Sequence, residues 1–295
     1  TVRGGGRITV PKAGDSVNPL HIAAQGQVTV AEAGVIDATG RGFPRHYVGP
    51  DFRKTGDWDE FGCHAGIRDR SESRGCVYGR YERARFAGSS GEEYGRSAGG
   101  GVVEIEAEGV RVDGVIRADG TRDRYWDYAG AGGSVHVAAD RVTGTGRISA
   151  SGGDSGNYAG AGGRVSIYAG EIANTLNLDA ASGEHLRNDS REQAAAGTVY
   201  LKDPAAPHGR LVIGNAGHDS PSRGTVIRSV GRRTIESVEA LGRNRWRITV
   251  AGTPWRPSSE VGHGLDGLEI DVAAGDRQGP LYTIESNEAG SLVVA

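Results

Sequence analysis

The chain has only two cysteines, Cys63 and Cys76, which close a short loop inside its most charged and aromatic stretch. In an oxidising compartment a bridge across such a loop stabilises by about 3 kcal/mol. It would also place the protein outside the cytoplasm, at the cell surface or beyond. A metal site is the weaker reading, because His64 is the one nearby third ligand and no second cysteine pair exists. The surrounding stretch, 41–98, holds all four phenylalanines (Phe43, Phe52, Phe61, Phe86) together with Tyr47, Trp58, Tyr78, Tyr81 and Tyr94. Arginines (Arg68, Arg70, Arg74, Arg80, Arg83, Arg85) are interleaved there with Asp57, Asp59, Glu60, Asp69, Glu72 and Glu82. Aromatic rings such as Trp58 can stack on sugars while guanidinium groups meet carboxylate or sulfate. The plainer reading, ranked first, is a small phenylalanine core that folds the stretch onto its neighbour, with the charges pairing among themselves. Asp57, Asp59 and Glu60 offer the carboxylate oxygens that Ca²⁺ takes. They match no calcium-loop spacing, so a solvated acidic turn is expected and no cofactor is required.

A second aromatic set, Tyr125, Trp126, Tyr128 and Tyr158, belongs to a repeat. Tyr-Ala-Gly-Ala-Gly-Gly occurs at 128–133 and again at 158–163, and each copy leads into a short pulse, Ser134-Val-His-Val137 or Arg164-Val-Ser-Ile167. Related pulses follow Gly101 and Gly197, so the anchoring glycines 101, 133, 163 and 197 stand 32, 30 and 34 residues apart. A later pulse follows in each unit, at 115–118, 147–150, 176–180 and 210–213, and a degenerate earlier unit spans 20–40. Every unit reads as strand, turn, strand, turn, strand, loop, with apolar residues at every second position. No unit can bury its apolar side alone, whereas stacked units can. The expected fold is all-β, a parallel β-helix (solenoid) over 99–218, with a short-strand sandwich as the alternative. Tyr128 and Tyr158 then stack in adjacent coils, either as a structural ladder over the turn glycines, the favoured reading, or as a glycan-contact row.

Net charge of −3 excludes bulk attraction to nucleic acid. No run of apolar residues is long enough for a membrane span. The absence of methionine leads us to expect a piece of a longer product. The motifs of serine hydrolases, P-loop enzymes and zinc proteases are missing, so no catalytic residue is assigned. His136 alternates with Val135 and Val137 and should point out of its strand.

The succession of glycine-rich loop, strand and Ile-x-Ala-x-Gly pulse, as in Gly99-Gly-Gly-Val-Val-Glu-Ile-Glu-Ala107 and Gly162-Gly-Arg-Val-Ser-Ile-Tyr168, resembles the glycine-rich repeats of large secreted bacterial surface proteins. The resemblance covers roughly 20–200. It implies a right-handed parallel β-helix of pectin-lyase-like architecture, but it brings no catalytic residues. The chain departs from that pattern at 41–98, where a charged and aromatic stretch replaces a nearly pure glycine loop. Polysaccharide lyases share the fold class and use arginine or lysine beside a Ca²⁺-bound uronate, yet no position here matches a lyase motif, and fold alone does not imply function.

Near 219 the character changes to longer alternating strands at 225–228, 245–250, 268–272, 282–285 and 291–295, expected to form a small antiparallel sandwich or barrel. That stretch is similar to small β-modules appended to bacterial surface proteins. The chain thus divides into N-terminal strands with a degenerate coil (1–40), an insertion (41–98), glycine-rich coils (99–218) and a C-terminal module (219–295). The expected function is an extracellular structural protein, either a stalk segment of an adhesin or a filament subunit self-associating through its terminal strands or solenoid ends. A carbohydrate-binding module, or a lyase acting on an acidic polysaccharide, is the alternative.

Overall fold

The apolar pulses become strands stacked coil on coil in a computed structural model of the chain. It describes every residue except 15, 45–46, 49–52, 55–62, 67–76, 92–96, 123–127, 187–193, 219–223, 226, 228–229, 253–254, 256, 258–264, 266–267 and 273–280. Three parallel sheets wind into a solenoid of about five turns. The first face carries Leu20–Ala23, Val102–Glu106, Ser134–Ala138, Arg164–Tyr168 and Thr198–Lys202 in succession. The second carries Gln27–Val30, Gly109–Val112, Arg141–Thr143 and Glu171–Ile172. The third carries Arg7–Thr9, Val35–Asp37, Val115–Arg117, Arg147–Ser149 and Asn177–Asp179.

Alternation along each strand sends every second side chain inward, and the register puts like on like. Val103, Val135, Val165 and Val199 form one interior column, and Ile105, Val137, Ile167 and Leu201 the next. Ile36, Ile116 and Ile148 line up behind the third face. All belong to a single core.

The anchoring glycines set the spacing between coils. Gly133, Gly163 and Gly197 each donate a backbone hydrogen bond to the alanine just after the preceding third-face strand, Ala118, Ala150 and Ala180, at 2.7, 2.8 and 2.6 Å. The carbonyls of Gly101, Gly133 and Gly163 face the next coil, where Ser134, Arg164 and Thr198 donate to them at 2.9, 2.9 and 3.0 Å. A Cβ on Gly133, Gly163 or Gly197 would overlap the carbonyl oxygen of the glycine one coil before.

Between the third and first faces the chain makes a glycine-rich excursion and returns through Tyr-Ala-Gly-Ala-Gly-Gly. The outgoing and returning arms bond to each other, for example Gly160 N–H to Gly153 O at 2.9 Å. The insertion 41–98 occupies this same corner in an early coil, its neck closed by Gly42 N–H donating to Gly99 O at 2.8 Å.

The strand Arg210–Val212, expected as another solenoid pulse, instead turns back and pairs antiparallel with Thr198–Lys202. The parallel coils therefore end at Lys202. The chain beyond covers this end, with Asn215 Oδ1 accepting from Ser182 N–H at 2.8 Å and Thr225 Oγ1 donating to Ala196 O at 2.6 Å.

The C-terminal module is a five-stranded antiparallel sheet in the order Ile235–Gly242, Arg245–Val250, Ser291–Val294, Leu281–Asn287, Glu269–Asp271. Its edge strand Ile235–Gly242 was not expected. It joins Arg245–Val250 through Arg243 and Asn244, both at positive φ (54° and 58°), as a tight hairpin requires. Ser291–Val294, expected as a strand of this module that could also pair with a neighbouring subunit, lies inside the sheet with neighbours on both sides. Its apolar sequence is explained by that central position. Among the described residues no helix is long and apolar enough to cross a membrane.

Gly163→Ala should cost about 3 kcal/mol or more, because the clash is with backbone rather than a movable side chain. Gly214→Ala, where a Cβ meets nothing within 4 Å, should stay within about 0.5 kcal/mol of the parent. Equal urea midpoints for the two variants would refute the glycine column.

Candidate functional site

The outward side of the first face is polar where a solvent-facing strand would be unremarkable, but here it is covered. Its first row, Ser134, Arg164 and Thr198, is almost wholly buried. The cover is made by 63–66 and 77–91 of the insertion, which lie along the flank. Arg164 donates to Tyr78 O at 2.9 Å, to Gly79 O at 3.3 Å and to Thr198 Oγ1 at 3.2 Å. Ser134 Oγ donates to Phe86 O at 2.6 Å, and Ala84 N–H to Ser166 Oγ at 3.0 Å. The strands thus bind the backbone of the insertion.

Apolar contacts complete the joint. Phe43, Tyr78 and Ala87 pack on Val102, with Phe86 at the side. Phe43 and Phe86 meet the Tyr78 ring edge-on at 6.3 and 6.2 Å, and His64 stacks on it at 4.7 Å. His64 Nδ1–H donates to Gly132 O at 2.8 Å, which leaves Nε2 buried with no partner. Burial, aided by the nearby Arg164 charge, pushes His64 down to about 3, so its imidazole is neutral throughout the physiological range. Burial likewise pushes the Tyr78 phenol upward; its hydroxyl donates to Ala87 O at 2.5 Å.

Beyond this joint lies a band in which Tyr81, Tyr168 and Tyr200 are half-exposed while His136 and Ser166 are buried. His136, Ser166 and Tyr200 form the second outward row, with Glu104 before them. Tyr168 stands in the third row. The Tyr81 ring lies 5.2 Å from Tyr200, Tyr200 lies 6.0 Å from Tyr168, and Tyr168 lies 5.7 Å from His136, all edge-to-face. His136 Nδ1 bonds Ser166 Oγ at 2.8 Å. Burial, then the charge of Arg83, pushes His136 down to about 4, with Glu106 opposing. Burial, then Tyr200 and Glu82, pushes Tyr168 up to about 12. At neutral pH the band therefore offers a neutral imidazole and protonated phenols between arginines and carboxylates. It suits stacking and hydrogen bonding to a polyhydroxylated ligand; neither His136 nor Tyr168 is poised near neutrality for proton transfer.

Of the residues singled out in the sequence, Tyr128 and Tyr158 do stack, at 4.1 Å and 8° between planes, and are joined by a backbone bridge. Their facing surfaces cover each other. Cys63 is buried and disulfide-bonded. Cys76, Trp58, Asp57, Asp59, Glu60, Tyr125 and Trp126 lie outside the described residues. Among the described residues no three His, Cys, Asp or Glu side chains gather as a metal site. His136 points outward as expected, but the roles of Arg164, Ser166, Tyr168 and Tyr200 were missed. The available signal was the period, which places 136, 166 and 200 in one outward row.

On the third face Asp37 is buried between Arg7 and Arg117, at 2.5 and 2.7 Å. Burial raises its pKa, but the bonds from Arg117 and Thr39 outweigh that and hold it below the ordinary value. Burial pushes Asp119 upward, although Ser151 N–H and Ser149 Oγ bond to its carboxyl group.

Comparison of the chain with protein-family models, curated proteins and solved structures finds no match.

His64 and His136 both bind protons more weakly when folded than when unfolded. Between their folded values of about 3 and 4 and the unfolded value of 6.5, the unfolded chain holds more protons, so stability from these groups rises with pH. Urea midpoints measured from pH 4 to 7 should show a smaller rise in His136→Gln than in the parent. Parallel curves would contradict the burial of His136.

Proposed function

We propose that the chain is a rigid segment of an extracellular surface protein, a stalk rather than a polymerising subunit, akin to the glycine-rich β-helices of secreted bacterial surface proteins. The observation that carries this reading is the single apolar core, which runs from Val2 to Leu201 and is not interrupted by the insertion. A stack of this kind gains length by backbone hydrogen bonding between coils and needs no ligand to hold its shape. Disulfide-bonded Cys63 favours an oxidising compartment. The stalk is favoured over a filament because Ser291–Val294 is already paired on both sides and Arg210–Val212 covers one sheet edge at the end of the coils.

The band of Tyr81, His136, Tyr168 and Tyr200 favours a second role, holding a polysaccharide along the flank. The half-exposed rings of Tyr81, Tyr168 and Tyr200, with the buried His136 behind them and arginine and carboxylate beside them, are the features of a glycan-binding strip rather than of a solvated face.

Negative-stain microscopy and sedimentation velocity across a wide concentration range should show isolated short rods of constant size. Ordered filaments with an axial repeat would replace the stalk by a self-assembling subunit. On a glycan array Tyr200→Ala should weaken the best binder about 3–10-fold, the worth of one aromatic contact. Release of unsaturated uronate from an acidic polysaccharide, lost in His136→Gln, would instead make the strip a lyase site.

A further inference from the structure

The joint between the insertion and the first face holds two histidines, and neither can take a proton without losing a contact. His64 is wholly buried between the Tyr78 ring, 4.7 Å away, and Gly132, whose carbonyl accepts from Nδ1–H at 2.8 Å. Protonation adds an N–H at Nε2, a buried atom with no acceptor. It also sets a second positive charge near the buried Arg164 guanidinium, and among the described residues no carboxylate opposes it there. The other groups facing His64 are neutral, the Tyr78 phenol and the carbonyls of Gly132 and Gly133.

His136 lies on the strand side of the same joint and is also buried. Ser166 Oγ accepts from Ala84 N–H of the insertion at 3.0 Å, so its own proton serves His136 Nδ1 at 2.8 Å. A proton on Nδ1 removes that acceptor and leaves the hydroxyl without one. The charges around His136 are Arg83 of the insertion and Glu106 of the neighbouring strand, with Glu104 beside it in register and the Tyr168 ring edge-on. The contacts of 63–66 and 77–86 with the coils thus run through or around neutral imidazoles. The neck differs: Gly42 N–H to Gly99 O and Gly88 N–H to Gly100 O, both at 2.8 Å, involve no titrating group.

We propose that acid releases 63–66 and 77–86 from the first face while the coils and the neck stay folded. Release brings Ser134, Arg164 and Thr198 to the surface and takes Tyr81 away from Tyr200. The flank then presents a cationic polar row in place of its aromatic margin. This device is independent of the stalk reading and of what the strip holds.

Both histidines bind protons more weakly with the cover closed, at about 3 and 4, than when freed, at 6.5. Closure is therefore strongest above pH 6.5 and weakens as pH falls below it. His64 alone raises the open fraction roughly 50–100-fold between pH 7 and pH 4.5.

The test is amide hydrogen exchange of the full chain at pH 7 and pH 4.5, corrected for intrinsic rates. The Tyr78 and Ala84 amides, bonded to His64 O and Ser166 Oγ, should lose about 50-fold protection or more. The Arg164 and Thr198 amides, bonded to Gly133 O and Gly163 O, should keep theirs. Combining His64→Gln with His136→Gln should flatten the response. If that double variant leaves Tyr78 unprotected even at pH 7, His136→Gln alone decides, and it should retain the His64 share of about 50-fold. Unchanged protection in the parent, equal losses in cover and coils, or a response that survives in the double variant would overturn the proposal. So would loss of the response in His136→Gln alone.

Discussion

The space that a Cβ would occupy on each anchoring glycine is taken by the carbonyl oxygen of the glycine one coil before. That close approach sets the geometry of the solenoid. It brings Gly133, Gly163 and Gly197 within hydrogen-bonding reach of the alanines behind them, and it aims each carbonyl at the strand of the next coil. With the first residue of every first-face strand fixed in this way, the two-residue alternation puts valine on valine in one interior column and stacks Ile105, Val137, Ile167 and Leu201 in the next. The small residue at Ala118, Ala150 and Ala180 follows from the same crowding, since these alanines turn the corner beneath the glycines and are buried. Period, register and core are therefore consequences of one column of backbone contacts.

The insertion uses what that column leaves exposed. A bare flank of Ser134, Arg164 and Thr198 would be ordinary solvated surface. Covered, it becomes a hydrogen-bonding strip that recognises backbone carbonyls, and Arg164 is the centre of it. A buried guanidinium is tolerated only where its donors are met, which ties the position of the Tyr78–Gly79 turn to a single register on the coils. His64, neutral and stacked on Tyr78, fixes the other side of the joint through Gly132. The cover reaches the second row at Ser166, which accepts from Ala84 N–H, and at Tyr200, against which Tyr81 packs. Tyr81, Tyr168 and Tyr200 remain half-exposed at its margin.

The solenoid was legible because its determinants are local and repeated. Two copies of Tyr-Ala-Gly-Ala-Gly-Gly, one period apart, are enough to place Tyr128 over Tyr158. Elements that depend on what they pack against were not. Arg210-Leu-Val-Ile213 has the same local pattern as a coil pulse, and only its antiparallel return onto Thr198–Lys202 distinguishes it. Ile235–Gly242 alternates acids with small and apolar residues on a fully exposed edge, so no buried stripe marks it, and Arg243–Asn244 lacks the Asn-Gly signature of a hairpin turn. Arg164 stands at an outward position of a short strand, where sequence gives no reason to expect burial. The candidate band was hidden for the same reason: its residues come from three coils and the insertion, and only the stacked register brings them together.

Edge strands decide whether such a molecule stays single. Arg210–Val212 covers one edge of the last coil, and the apolar strand Ser291–Val294 is enclosed. Two of the remaining edges carry charge. Arg7–Thr9 holds Arg7 against Asp37 at 2.5 Å, and the outer strand Ile235–Gly242 bears Glu236 and Glu239. Charged side chains on an edge oppose pairing with another chain, because a partner strand would have to desolvate them or meet like charge. The apolar repeat is thus kept inside the solenoid, while the polar flank is covered by the insertion. That division, backbone contacts for shape and charged or already paired strands at the edges, is the physical ground for proposing a rod over a subunit that polymerises by exchanging strands.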